Sequence, residues 1–308
     1  MNDIIETHLN IRYAVFHFTL RFTEDTQLPF QKTSAIRGGI GEMLLRMNCI
    51  RDRNCEACSF TDACIVRQTM YSKMKIHPDF MLSGDSVGYV MECDNHEKTF
   101  HRGSTMRFDL LLFGDNIVFF SQYLLALQNL GMVGLGKNHA RFEIARITNI
   151  DGEDILDGRN IYMANVKVKY LSDYVSSSSG ACSANAHISF RTPLTVKFRG
   201  EFIKTFDMEA ILSAAERRIY ILNCFEGNQI DRIDISEHIP DCVSSFAKKE
   251  NVVRYSNTHD KKIMLQGITG ETDLSDLDPT AWVILKACEI LHIGKNTSFG
   301  FGGYDLRT

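Results

Sequence analysis

The sequence predicts an α+β fold made of two tandem ferredoxin-like domains, each ending in a glycine-rich loop and a strand, and three observations carry that expectation. A helical pattern, a glycine-rich loop and a strand-like run follow one another twice, over residues 116–147 and 281–306, and Gly-Lys-Asn recurs in both loops at Gly136–Asn138 and Gly294–Asn296. Such a repeat points to two copies of one supersecondary plan. A strand and a helix precede the repeat in each half. Finally, 308 residues, 44% of them hydrophobic, supply enough chain for two cores of ordinary size.

Taken in order, Tyr13–Phe22 alternates: Ala14, Phe16, Phe18, Leu20 and Phe22 form an apolar side, while Val15, His17, Thr19 and Arg21 form a mixed one, as in a half-buried strand. After Pro29, Thr33 or Ser34 is placed to cap a helix running through Met43, Leu44, Leu45 and Met47. Gly38, Gly39 and Gly41 leave its first turn bare and open to close approach. A cysteine cluster occupies residues 49–64, a long irregular stretch follows, and Thr105–Phe113 reads as a strand. Asn116–Leu130 reads as an amphipathic helix, Gly131, Gly134 and Gly136 as a loop, and Arg141–Ile147 as a strand.

Ser172–Ser183, serine-rich from Ser176 onward, reads as flexible or exposed, which places a first domain at 1–170, a linker at 171–187 and a second domain at 188–308. In the second, Thr192–Phe198 restarts a strand pattern and Phe206–Leu222 has helical spacing, with Arg217 and Arg218 near its end where cations suit the helix dipole. Ala281–Leu291 is a further helix. A glycine-rich loop at 294–303 and the strand Tyr304–Leu306 close the chain.

Met1–Asn10 carries Asp3 and Glu6 but no Lys or Arg, so a signal peptide is not expected and the cytoplasm is the expected compartment. The longest apolar stretch, Ile117–Leu127, is far shorter than the roughly 20 residues that cross a bilayer, so no membrane contact is expected. A net charge of −4 argues against broad nonspecific nucleic-acid binding and leaves that role to local basic groups. Arg191, Lys197, Arg199 and Lys204 form one set; Lys248, Lys249, Arg254, Lys261 and Lys262 form another. Nine cysteines without a secretory signal point to reduced thiols or a metal. Cys49, Cys55, Cys58 and Cys64, spaced C-x5-C-x2-C-x5-C, suit a structural zinc or an iron–sulfur cluster, with four free thiols as the alternative.

Gly131–Lys137 has the glycine and lysine spacing of a P-loop, but Asn138 stands where Ser or Thr would bind magnesium, and the loop follows a helix and opens a strand, the reverse of a P-loop. Nucleotide hydrolysis is therefore not expected. What remains is a turn requiring positive φ, or amides facing RNA phosphates. The second loop, with Lys295 beside Thr297 and Ser298, favours RNA contact; Phe299 and Phe301 read as anchors in the core, with stacking on bases as the alternative.

The run Leu291-His-Ile-Gly-Lys-Asn-Thr-Ser-Phe-Gly-Phe-Gly-Gly-Tyr304 resembles the carboxy-terminal glycine-rich loop of RAMP superfamily proteins, especially the endoribonucleases that process precursor CRISPR RNA, the sixth Cas family. Arg37-Gly-Gly-Ile-Gly41 with Leu44 and Leu45 resembles the opening of that family's first helix, and a cysteine series follows it in one branch. Gly134-Leu-Gly136 before Arg141-Phe-Glu-Ile144 resembles the end of the first domain, and Thr192-Pro-Leu194 the start of the second.

The resemblance implies tandem RRM-like domains that bind CRISPR repeat RNA, or the mature guide, and cut the repeat once without a metal or other catalytic cofactor. The ribose 2'-hydroxyl attacks the neighbouring phosphate and leaves a 2',3'-cyclic phosphate, which requires a base, an acid and positive charge. Many relatives carry a histidine in or near the first helix, but residues 31–48 contain none. The catalytic candidates are therefore His259, in a polar stretch with Lys261 and Lys262, then Lys262 itself, and His139 after Lys137. Arg37, Lys137, Arg141, Arg254, Lys261, Lys295, Thr297, Ser298, Gly300 and Gly302 are the expected RNA contacts. The alternative is a non-catalytic RAMP subunit that holds guide RNA among other Cas proteins of an effector complex. A metal-stapled interaction protein with no RNA role is more distant.

Overall fold

The computed structural model describes residues 1–71, 73–81, 87–256 and 261–308, with backbone alone at 255 and 256. Helix α1 (Asn2–His8) and strand β1 (Arg12–Phe22) are followed by α2 (Thr33–Asn48), α3 (Ile65–Met70), β2 (Tyr89–Glu92), β3 (Thr105–Phe113), α4 (Phe120–Val133), β4 (Phe142–Thr148) and β5 (Asp154–Asp157). Helix α5 (Leu171–Ser177) then leads to β6 (Ala186–Leu194), α6 (Met208–Glu226), β7 (Asp241–Ser256), β8 (Lys261–Ser275), α7 (Pro279–Leu291) and β9 (Tyr304–Arg307).

The first sheet runs β2-β3-β1-β4-β5 and the second β7-β8-β6-β9, with antiparallel neighbours throughout. In each half a strand, a helix, two strands, a helix and a strand follow in sequence, and the last strand lies beside the first. That is the ferredoxin-like arrangement, present twice.

The alternation along β1 explains how the halves are built and joined. Phe16, Phe18, Leu20 and Phe22 enter a core with Ile36, Ile40 and Leu44 of α2 and Tyr123, Leu127 and Leu130 of α4. Phe16 stacks on Phe120 with centroids 4.0 Å apart. On the other face, Tyr13 and Val15 join Val90, Leu111 and Phe113 in a second core with Ile211, Ala215, Ile219 and Leu222 of α6. The back of the first sheet is thus buried by the second half.

Several elements differ from the sequence reading. Lys32, not Thr33 or Ser34, occupies the N-cap position of α2, with no side-chain cap bond, and its buried ammonium donates to the carbonyls of Asn95 and Phe30. Helix α4 continues through Gly131 to Val133, so the first loop begins only at Gly134. Residues 171–187 are not simply a flexible connection: α5 buries Leu171 and Val175, and β6 begins at Ala186. Helix α6 extends to Glu226, which puts Arg218 in its interior. There Arg218 is buried, donates to the carbonyls of Leu291 and Val87, and has its pKa lowered to about 10 by desolvation. The β7–β8 hairpin occupies residues to which the sequence reading assigns no element; its largely exposed faces leave little apolar alternation to read.

Gly131 shows how packing reverses a local preference. Alanine at a helix-interior glycine ordinarily stabilises by about 1 kcal/mol. A β-carbon on Gly131, however, would collide with the Phe142 carbonyl of β4. Gly131→Ala should therefore lower the unfolding free energy by about 1–3 kcal/mol in denaturant titration, as overpacking does.

Candidate nucleic-acid interface

The loop after α7 is shaped by backbone conformations that few side chains permit. His292, Gly294, Asn296, Gly300 and Gly302 all have positive φ. The loop is tied to the end of β6 and the residue after it: Gly302 N–H donates to Pro193 O, and Lys295 N–H to Thr195 O. Gly300 lies against the Met91 carbonyl of β2, where a β-carbon would clash, so the second-domain loop sits directly on a first-domain strand.

That seating presents Phe299. The Arg37 guanidinium of α2 lies 4.3 Å from its ring centroid, and that of Arg254 from β7 lies 4.9 Å away. Two cations on one ring gain cation–π energy but repel one another. Burial, and then the charge of Arg37, lower the pKa of Arg254. Its buried Nε finds no hydrogen-bond acceptor among the described residues. A site with these properties favours an anion.

A second cluster holds the loop in place. Glu92 on β2 faces His292 Nε2 at 3.0 Å, close enough for an ion pair though off the line of a hydrogen bond, and Arg191 Nη1 at 3.4 Å. Arg191 also meets Asp305 at 3.0 Å, and His292 Nδ1 lies 2.9 Å from Phe301 O. His292 is buried and Glu92 nearly so. Burial pushes the Glu92 carboxyl upward, but the close approach of His292 and the charge and hydrogen bond of Arg191 prevail and hold its pKa at about 2.

The sequence-predicted residues fall in two places. Arg37, Arg254, Lys295, Thr297, Ser298, Gly300 and Gly302 share the corner just described; Lys295 is exposed, whereas Thr297, Ser298, Gly300 and Gly302 are buried. Phe301 is an anchor, 3% exposed, while Phe299 is only partly buried beneath the arginines. Lys261 and Lys262 are exposed on β8; Lys262 pairs with Tyr255, so strand alternation places it on the face opposite Arg254. His259 lies outside the described residues.

Lys137, His139 and Arg141 are exposed around the first glycine loop. Asn138 there donates to Gln27 O beside an open polar cleft lined by Asp25, Thr26, Thr99 and His101. Gly134 and Gly136 have positive φ, as a tight turn requires. In α2, Gly39 admits Leu130 and Gly41 faces Met70, whereas Gly38, beside Arg37, faces open space. Sequence reasoning missed Glu92, in an apparently irregular stretch, and the ionic role of His292.

The cysteines do not assemble as expected. Cys49 ends α2 with its sulfur accepting the Arg53 N–H, and Cys64 precedes α3. Cys49, Cys55, Cys58 and Cys64 are free thiols, and no group of three metal-ligating side chains is gathered among the described residues. No helix is long and apolar enough to cross a membrane among the described residues.

A family model for the CRISPR-associated endoribonuclease Cas6 matches residues 188–304, and one described only as an N-terminal domain matches residues 10–172. An uncharacterized protein of Archaeoglobus fulgidus is 21% identical over 290 residues, covering 91% of this chain and 93% of that protein. A solved Cas6 product complex is 13% identical with a TM-score of 0.53, covering 96% of this chain and 100% of that one. A partial Cas6-RT-Cas1–Cas2 complex gives 11% identity and a TM-score of 0.57, covering 96% of this chain; the chain spans only 46% of that longer polypeptide. At these identities the structural likeness is one of fold, and the fold is the tandem ferredoxin-like one.

Glu92 makes the packing of the loop dependent on pH. Its carboxyl is depressed from an ordinary value of about 4.3 to about 2, so its stabilising contribution is complete above the ordinary value and is lost as pH falls through about 2. Glu92→Gln should lower stability at pH 7 by up to about 3 kcal/mol. In denaturant titrations at stepped pH, the gap from wild type should close progressively below about pH 4.

Proposed function

This chain belongs to the CRISPR-associated endoribonuclease Cas6 family, and on that premise we propose that it binds CRISPR repeat RNA and cuts it once to release guide RNA. The observation that carries the reading is the convergence of Arg37 and Arg254 on Phe299: two guanidiniums from different domains beside an aromatic ring of the glycine-rich loop. Guanidinium forks bind phosphate bidentately, and a ring can stack on an unpaired base.

The reaction needs no metal ion. The 2'-hydroxyl forms a bond to the adjacent phosphorus while the bond from phosphorus to the 5'-oxygen breaks, leaving a 2',3'-cyclic phosphate and a 5'-hydroxyl. One proton leaves the attacking hydroxyl and another reaches the departing oxygen. The arginines balance the charge that builds on the phosphoryl oxygens. Proton transfer is assigned to His259, in the sequence joining the two strands of the hairpin that carries Arg254, with His139 as the second choice. Lys261 and Lys295, both exposed, supply backbone contacts around this corner, whereas Lys262, on the opposite face of the hairpin, does not reach it.

A non-catalytic RAMP subunit holding guide RNA is the second reading, favoured by the lack of histidine in residues 31–48. Other Cas proteins are further partners under either reading.

Purified protein incubated with its own repeat RNA in EDTA should make a single cut with a cyclic-phosphate end, abolished by one 2'-deoxy substitution. Tight binding without any cut would select the subunit reading. Arg254→Ala should weaken binding by about tenfold and reduce the slope of log affinity against log salt by about one, as loss of one phosphate contact does.

A further inference from the structure

We infer that Glu92, His292 and Arg191 are positioning residues: an ionic latch between the domains that holds the glycine-rich loop on β2 and thereby places Phe299 between Arg37 and Arg254. The inference rests on the anion-site reading above and adds the device that assembles the site.

The first support is where the latch is anchored. Glu92 is the last residue of β2, and its neighbour Met91 supplies the carbonyl against which Gly300 is pressed. His292 stands at the first turn of the loop and Arg191 on β6, with Gly303 N–H donating to Thr192 and the Arg191 N–H donating to Gly303 O. Both ends of the loop are therefore tied to a carboxylate that belongs to the other domain. Phe299 sits one residue before Gly300, so it cannot shift independently of that tie.

The second support is how closely the His292 ring is enclosed. One ring nitrogen of His292 faces the Phe301 carbonyl and the other faces Glu92. A β-carbon on Gly303 would crowd both His292 Cε1 and Glu92 Oε1, so the close fit extends to the loop's far end. Removing the Glu92 charge leaves the half-buried Arg191 guanidinium facing an uncharged side chain at this point, and the loop loses its ionic tie to β2.

The test uses the full chain, Glu92→Gln, the milder outer variant Arg191→Ala, and Phe299→Ala. Amide hydrogen exchange is read over residues 294–303 without RNA, well below the melting temperature, with α7 as the internal reference. The latch predicts faster exchange confined to the loop, whereas general destabilisation speeds α7 as well. Repeat-RNA affinity should fall about tenfold in Glu92→Gln and by less in Arg191→Ala, in the range of couplings carried by intermediate residues. Phe299→Ala should add little in the Glu92→Gln background, because the latch acts through that ring. Unchanged loop exchange overturns the inference, as does faster exchange with unchanged affinity or a fully additive double variant. If wild-type protein binds no repeat RNA, the functional reading fails, while the exchange arm still decides whether the latch exists.

Discussion

A single carboxylate at the end of a first-domain strand governs the geometry of the site. Glu92 is nearly buried, and it tolerates that position because His292 and Arg191 of the second domain meet it there. The chain around the three is drawn so close that Gly300 rests on the Met91 carbonyl. From this contact follow the seating of the loop, the direction of Phe299 and its encounter with Arg37 and Arg254. The apolar interface beneath supplies bulk adhesion, since Tyr13, Val15 and Phe113 share one core with α6. Adhesion of that kind is non-directional and sets no register. The ion cluster provides it.

Duplication explains why such a device can exist. Each half is the same strand and helix order, and each closes with a glycine loop after its second helix. The two loops have diverged in use. The first stays within its own domain, bonded to the segment around Gln27. The second reaches across to β2, so its glycines serve backbone-to-backbone contact between domains. A site assembled from α2, β7 and this loop exists only while the domains are docked, so the proposed RNA binding would depend on the interface.

Much of the architecture was legible in the sequence because its signals are local. The apolar side of β1 and the repeated order of helix, glycines and strand depend on neighbours along the chain, and β1, β4, α7 and β9 lie close to their expected places. The β7–β8 hairpin was not legible, since exposure on both faces removes the period-two pattern on which strand reading depends. Gly131 misled for a related reason: a glycine reads as punctuation, yet here it lies inside α4 and admits the Phe142 carbonyl. At the site, Arg37 and Arg254 could be nominated from the resemblance and from local charge, but their convergence on Phe299 is a long-range fact. Glu92 carried no signal at all. A lone glutamate after Tyr89, Val90 and Met91, in a stretch that reads as irregular, gives no sign of the distant partners that offset its burial.

The resulting picture is of positive charge brought together by folding in a chain whose net charge is −4. The Phe299 corner concentrates two guanidiniums on one ring, and that concentration distinguishes it from the more dispersed cations of the first loop. Its claim to bind RNA is tested most directly by photo-cross-linking thiouridine-substituted repeat RNA to the protein and mapping the attached peptides. The account predicts cross-links at Phe299 and in the segments carrying Arg37 and Arg254. Cross-links confined to the first glycine loop around residues 134–141, with none at Phe299, would contradict it.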